Sequence, residues 1–206
     1  MDNYHKGHIL YLWEAFLNGD DKSFSSLYEL HIDQLISYGY KLCIDHELVH
    51  DSLQEIFIDL FLKREKLNAD IKHLKAYLFV SLRNSLIKKI KSSKRIELFD
   101  IKDNKFEFDF NVEYSYQDRL IDEEISQEIR ELLEAATQKL PAKQKEIIYL
   151  KFEEEMSYPE IAEIMNISVE SARKLLYRAL LTLRSEIPSD SFTSLFFILF
   201  SKISQN

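Results

Sequence analysis

The sequence predicts an all-α fold of two small helical domains, on three observations. Glycine is nearly absent, with 3 in 206 residues and all of them before residue 40, while Leu, Ile, Lys and Glu are abundant; that composition favours helix almost throughout. Apolar residues recur at helical spacing over most of the chain. The period fails between Ser92 and Asp118, where Phe99, Phe106, Phe108, Phe110, Tyr114 and Tyr116 alternate with acids. The expected layout is therefore a helical bundle over 1–95, an acidic, aromatic-containing linker over 96–120, a helix-turn-helix domain over 121–187 and an apolar C-terminal tail over 188–206.

A first helix is predicted over Ile9–Asn18, with Trp13, Phe16 and Leu17 on its apolar side and Gly19 as its stop. Asp20 and Asp21 lead into a second, in which Phe24, Leu27, Tyr28, His31, Leu35, Ile36 and Tyr38 keep the period. Gly39 falls inside this element and is read as a point of close approach. A third helix runs roughly over His46–Lys66, with Leu48, Leu53, Ile56, Phe57, Leu60 and Phe61 as its apolar face and Asp51, Gln54, Glu55 and Asp59 turned outward. Its start spells H-E-x-x-H through His46, Glu47 and His50, the spacing of a zinc hydrolase. Such a site needs a third ligand from a second element. The favoured reading is two exposed imidazoles, so no metal and no other cofactor is expected.

A loop from Lys66 to His73, with Asn68 and Asp70 as turn formers, precedes a fourth helix from Leu74 to about Lys91. Tyr77, Leu78, Leu82, Leu86, Ile87 and Ile90 form one side of it. Lys72, Lys75, Arg83, Lys88, Lys89, Lys91, Lys94 and Arg95 follow one another with no acid between them. With Tyr77 and Phe79 interleaved, this reads as a surface for phosphate or single-stranded nucleic acid. The formal net charge is −8, which opposes casual binding to DNA. The acids concentrate between Glu97 and Glu128, so DNA binding is expected to need a partner.

After the linker the helical stripe resumes at Ile121, Ile125, Ile129, Leu132, Leu133, Ala136 and Leu140, and Pro141 divides that helix from the next, Ala142–Phe152. Ser157 and Glu160 form an S-x-x-E capping box around Pro159, which starts a short helix carrying Ile161, Ala162, Ile164 and Met165. Asn166 tolerates the left-handed conformation that stops it. Ser168 restarts the chain, and Ala172, Leu175, Leu176, Ala179, Leu180 and Leu183 form one buried stripe. The free face carries Arg173, Lys174, Tyr177 and Arg178, with Ser168, Glu170 and Ser171 in the first turn, where a recognition helix meets the major groove. Two amphipathic helices can also be an inert bundle, but a bundle needs only the stripe.

Cys43 is the only cysteine, expected as a small half-buried apolar side chain in a reducing cytoplasm. The start, MDNYHKGHILYLWEAF, has no basic leader followed by a clean apolar run. The apolar run within 192–203 of the tail is too short to cross a bilayer. It needs cover, by default from neighbouring helices.

These motifs together resemble the extracytoplasmic-function branch of the sigma-70 family of bacterial transcription initiation factors. LNGDDKSFSSLY is similar to the family's G-D-x-x-x-F-x-x-L-Y opening, and VHDSLQEIFIDLF to its D-x-x-Q-x-x-F helix. HLKAYLFVSLRNSLIKKIKSSKR resembles the promoter-melting helix, and the stretch from Leu140 through EIAEIMNIS to RKLLYRAL the domain that reads the upstream promoter element. Tyr77 stands where the family usually has Trp, Lys88 and Lys89 lie where Asp is common, and Met156 and Asn166 take positions often given to Gly.

The resemblance implies a non-enzymatic protein whose partners are core RNA polymerase and promoter DNA, with an anti-sigma factor as a further candidate, no small-molecule substrate, and at most indirect membrane contact. It places core-polymerase binding on Asp51, Gln54, Glu55 and Phe57, and the downstream element and single strand on Asn68, Lys72, Tyr77, Arg83, Asn84, Lys88 and Lys91. Upstream duplex contacts fall on Ser168, Glu170, Ser171, Arg173, Lys174, Tyr177 and Arg178. The alternative is a duplex-binding helix-turn-helix regulator with a helical sensor or dimerisation domain.

Overall fold

Asp20 and Asp45 start the two helices that frame the N-terminal unit. The Asp20 carboxylate accepts from the backbone N–H groups of Lys22 and Ser23, and Asp45 accepts from that of Leu48 at 3.0 Å. Each bond satisfies an amide that a helix start would otherwise leave open. The structure, a computed structural model, describes residues 2–67, 73–97, 110 and 127–187. It divides into two units, Met1–Phe106 and Glu107–Asn206. All regular structure among the described residues is helical: α1 (Asp2–Leu17), α2 (Asp21–Leu42), α3 (His46–Leu62), a 3-10 turn (Arg64–Lys66) and α4 (Leu74–Glu97) in the first unit. The second has α5 (Gln127–Gln138), α6 (Ala142–Ile148), a π-helical turn (Tyr149–Glu153), α7 (Tyr158–Met165) and α8 (Val169–Glu186). No described helix is long and apolar enough to cross a membrane.

In the first unit α2 packs against α1, α3 and α4, and α3 also packs on α4. The core is aromatic. Trp13 and Phe16 lie 5.5 Å apart, Phe16 meets Phe24 at 5.1 Å, and Tyr38 meets Phe79 at 4.9 Å. Each fully buried ring contributes on the order of 2 to 3 kcal/mol of apolar burial. Gly39 lies inside α2, as the sequence indicated, because a Cβ there would sit 2.5 Å from Val49 Cγ1 on α3. Val is stiff at χ1 and cannot step aside easily. Gly39→Ala is therefore expected to destabilise by about 1 to 2 kcal/mol in urea unfolding, the clash outweighing the roughly 1 kcal/mol that Ala contributes in a helix.

Three boundaries differ from the sequence reading. α1 begins well before Ile9; α3 stops at Leu62, with the 3-10 turn taking up Arg64–Lys66; and α4 continues to Glu97, past the expected Lys91. Phe79, expected among the exposed cations, is fully buried against Tyr38. α4 is covered by both α2 and α3, so its apolar arc is wider than a single stripe.

In the second unit α8 is the central element and packs against α5, α6 and α7. Ala172, Leu176, Ala179 and Leu183 are buried along it and Ile161, Ala162, Ile164 and Met165 along α7, with Leu183 in a core cluster with Ala136, Leu140 and Ile187. The predicted helix Ala142–Phe152 is α6 followed by the π-helical turn. Phe110 is buried with its ring 5.8 Å from Tyr149, so one aromatic of the expected linker belongs to this unit. The other linker aromatics, residues 121–126 and the apolar tail lie outside the described residues.

Candidate functional site

On the first unit, α2 and α3 leave an open cleft of about 520 Å³ lined by Phe24, Tyr28, Gln54, Phe57, Ile58 and Phe61, among others. Ile58 and Leu62 on its rim are 50% and 73% exposed, an apolar surface larger than isolated side chains need. Asp51, Gln54 and Glu55 are exposed on the same helix, as the sequence suggested. Phe57 is not an exposed contact. It is buried at the floor of the cleft, with Tyr28 edge-on at 4.8 Å, so it shapes the surface from beneath. Glu55 is paired across to α4, with Lys89 Nζ at 2.8 Å.

His46 and His50 are exposed at the start of α3, and Tyr40 occupies the space beside them. Its ring stacks on His46 at 3.8 Å, and its hydroxyl lies 2.8 Å from His50 Nε2. Among the described residues no group of three His, Cys, Asp or Glu is placed to hold a metal. Burial pushes the Cys43 thiol pKa up, which keeps it in the unreactive neutral form.

Along α4, Tyr77, Asn84, Lys88 and Lys91 are exposed. Arg83 is the correction here. At 7% exposure it is buried, which takes it off the face that could meet a strand. The helical period places it toward α2 or α3, and a basic side chain in the sequence carries no mark that distinguishes a core Arg from a surface one. Asn68 and Lys72 lie outside the described residues.

In the second unit the local signals assemble a helix-turn-helix. Ser157 accepts from Glu160 N–H while Glu160 accepts from Ser157 N–H at 2.7 Å, completing the capping box. Asn166 adopts φ 52° and ψ 53°, and Ile167 N–H donates to Ala162 O at 2.9 Å while Asn166 N–H donates to Glu163 O at 3.1 Å. This Schellman pattern closes α7 and aims α8. Among the described residues the other non-glycine with positive φ is Glu155, φ 54°, one position before the Met156 that the family resemblance singled out.

Ser168 caps α8, accepting from Ser171 N–H at 3.1 Å, and the two hydroxyls are also hydrogen-bonded to each other at 2.9 Å. Glu170 pairs with Lys174 at 2.6 Å. Arg173, Tyr177 and Arg178 are exposed, Tyr177 at 64%. All seven expected duplex-contacting residues thus lie in the first three turns of α8 or at its cap, with four differently engaged: Ser168 and Ser171 in capping, Glu170 and Lys174 with each other.

Two family models match separate parts of the chain. A model for sigma-70 region 2 matches residues 27–96, and one for sigma-70 region 4 matches residues 130–183. The chain is 24% identical over 153 residues to the ECF RNA polymerase sigma factor SigM of Bacillus subtilis (strain 168), covering 74% of this chain and 88% of that protein. It is also 24% identical over 171 residues to SigW of the same organism, covering 82% and 91%. Among solved structures, CnrH in complex with the cytosolic domain of CnrY aligns with TM-score 0.55 at 19% identity, over 86% of this chain and 96% of that one. The sigma factor RpoE in complex with the anti-sigma factor NepR, from Bartonella quintana, aligns with TM-score 0.54 at 20% identity, over 80% and 96%. At these identities the two structures speak to the fold.

Proposed function

The chain belongs to the sigma-70 family, and from that premise we propose that it acts as an extracytoplasmic-function-type sigma factor, binding core RNA polymerase and directing promoter recognition, strand opening and transcription initiation. One observation carries this reading: region 2 falls within the first unit and region 4 within the second, in family order. RNA synthesis belongs to the polymerase, so this protein works in the cytoplasm as a binding subunit with no catalytic residue.

On this reading the α2–α3 cleft and Asp51, Gln54 and Glu55 dock on polymerase, with Phe57 supporting the surface from below. Asn84, Lys88, Lys91 and Tyr77, with Asn68 and Lys72, hold the opened strand. Stacking returns about 1 to 3 kcal/mol per unpaired base, enough to trap a melted segment that the holoenzyme has opened. α8 reads the upstream duplex through Arg173, Tyr177 and Arg178. An anti-sigma factor, the partner named for the Bartonella protein, is a further proposed occupant of the cleft.

The test is run-off transcription from a genomic fragment library with purified core enzyme. Initiation that depends on the added protein is expected; no gain on any template overturns the proposal. A regulator that binds duplex by itself would instead show tight promoter binding without polymerase. Glu55→Lys removes the pair with Lys89 and reverses charge beside the cleft, so core-enzyme retention in a pull-down is expected to fall several-fold, as is common for a rim charge. Unchanged retention would move the docking face elsewhere.

A further inference from the structure

Three elements of the second unit meet at one aromatic ring. Tyr158, the first residue of α7, has Arg173 Cζ of α8 at 5.5 Å from its ring centroid and Lys151 Nζ of the π-helical turn at 5.4 Å. Lys151 also donates to Met156 O at 3.1 Å, which ties the ammonium to the turn before α7. Tyr158 is itself half-buried and Arg173 is exposed, so the ring is supported from within the unit and the guanidinium rests against it.

The way Arg173 is held matters for what it can do. Lys174 next to it spends its charge on Glu170. Among the described residues Arg173 has no carboxylate partner and is held by the ring. A carboxylate would consume the N–H donors at the edge of the guanidinium, the donors that match guanine O6 and N7. A cation–π contact engages the guanidinium without occupying those in-plane donors. The side chain is thereby oriented before it meets DNA, with its hydrogen-bonding edge still open.

We propose that Tyr158 is a positioning residue for promoter discrimination: its ring pre-orients Arg173 for bidentate readout of a base pair in the upstream element. This rests on the reading that α8 contacts that element. Tyr158 makes no base contact of its own in this assignment and acts only through Arg173.

The experiment uses full-length protein reconstituted with core enzyme, a promoter recovered from the library, and its single base-pair variants across the upstream element. Arg173→Ala first marks the base pair whose discrimination depends on Arg173. Tyr158→Leu is then expected to lower discrimination at that base pair by roughly two- to fivefold, the effect of one exposed cation–π contact, and to leave the other positions unchanged. Tyr158→Phe retains the ring and is expected to preserve discrimination. The double variant Tyr158→Leu with Arg173→Ala is expected to lose no more than Arg173→Ala alone.

Should the Leu variant not fold, Tyr158→Met fills similar volume without a π face and takes its place. Discrimination unchanged in the Leu or Met variant, or initiation lowered equally at every promoter variant, overturns the positioning role while the base-reading role of Arg173 stands. If Arg173→Ala alters discrimination at no base pair, base reading by Arg173 fails and the positioning role falls with it.

Discussion

Replacing His31 by Leu is expected to remove roughly 3 kcal/mol of acid sensitivity from the first unit. His31 is buried, and neither ring nitrogen has a hydrogen-bond partner among the described residues. Burial first, and the Lys75 ammonium second, depress its pKa from 6.5 to about 4. The folded state therefore holds the neutral imidazole, while the unfolded chain takes up a proton near pH 6.5. The stability this represents is fully present above pH 6.5 and is lost as pH falls from there through about 4. A shift of this size corresponds to about 3 kcal/mol. Carboxylates add their own acid effects, so the relevant measurement is the difference between wild type and His31→Leu in urea unfolding at pH 7, 5.5 and 4. The variant is expected to match or exceed wild type at pH 7, since an apolar side chain leaves no polar atom unpaired, and to gain steadily on it toward pH 4. Parallel loss in both proteins would mean that His31 titrates normally.

Arg173→Ala is expected to reduce discrimination at one or two base pairs of the upstream element by about 1 to 3 kcal/mol, or roughly 5- to 150-fold, with core-enzyme binding unchanged. The side chain is exposed near the start of α8, outside the buried stripe of Ala172, Leu176, Ala179 and Leu183. Removing it leaves that packing intact. A phosphate contact would behave differently: its loss weakens every promoter equally and shallows the salt dependence. Competition between matched promoter variants in one transcription reaction separates the two, and a uniform loss would assign Arg173 to the backbone.

What the sequence disclosed follows the range of the interactions involved. The start and stop of α7 were legible in Ser157, Pro159, Glu160 and Asn166 because each signal acts within a few residues. The stripe of α8 was legible for the same reason. Arg83 and Phe79 were misassigned because α4 is covered by two other helices, and periodicity along one helix does not say how wide its buried arc is. Gly39 announced a close approach without naming Val49, which lies on another helix. The Glu55–Lys89 pair and the Tyr158 platform each join different elements, so no pattern along one helix marks them. The π-helical turn at Tyr149–Glu153 was hidden because one wider turn shifts the apolar register by a single residue, within the ordinary scatter of such patterns.

The seat of Phe110 against Tyr149 bears on how the protein can be cut for separate work on its halves. A C-terminal fragment begun at Gln127 would strip a buried aromatic from the π-helical turn and bare the face of Tyr149 to water, inviting self-association at the concentrations spectroscopy needs. A cut upstream of Phe110, near the Phe106–Glu107 boundary, keeps that lid in place.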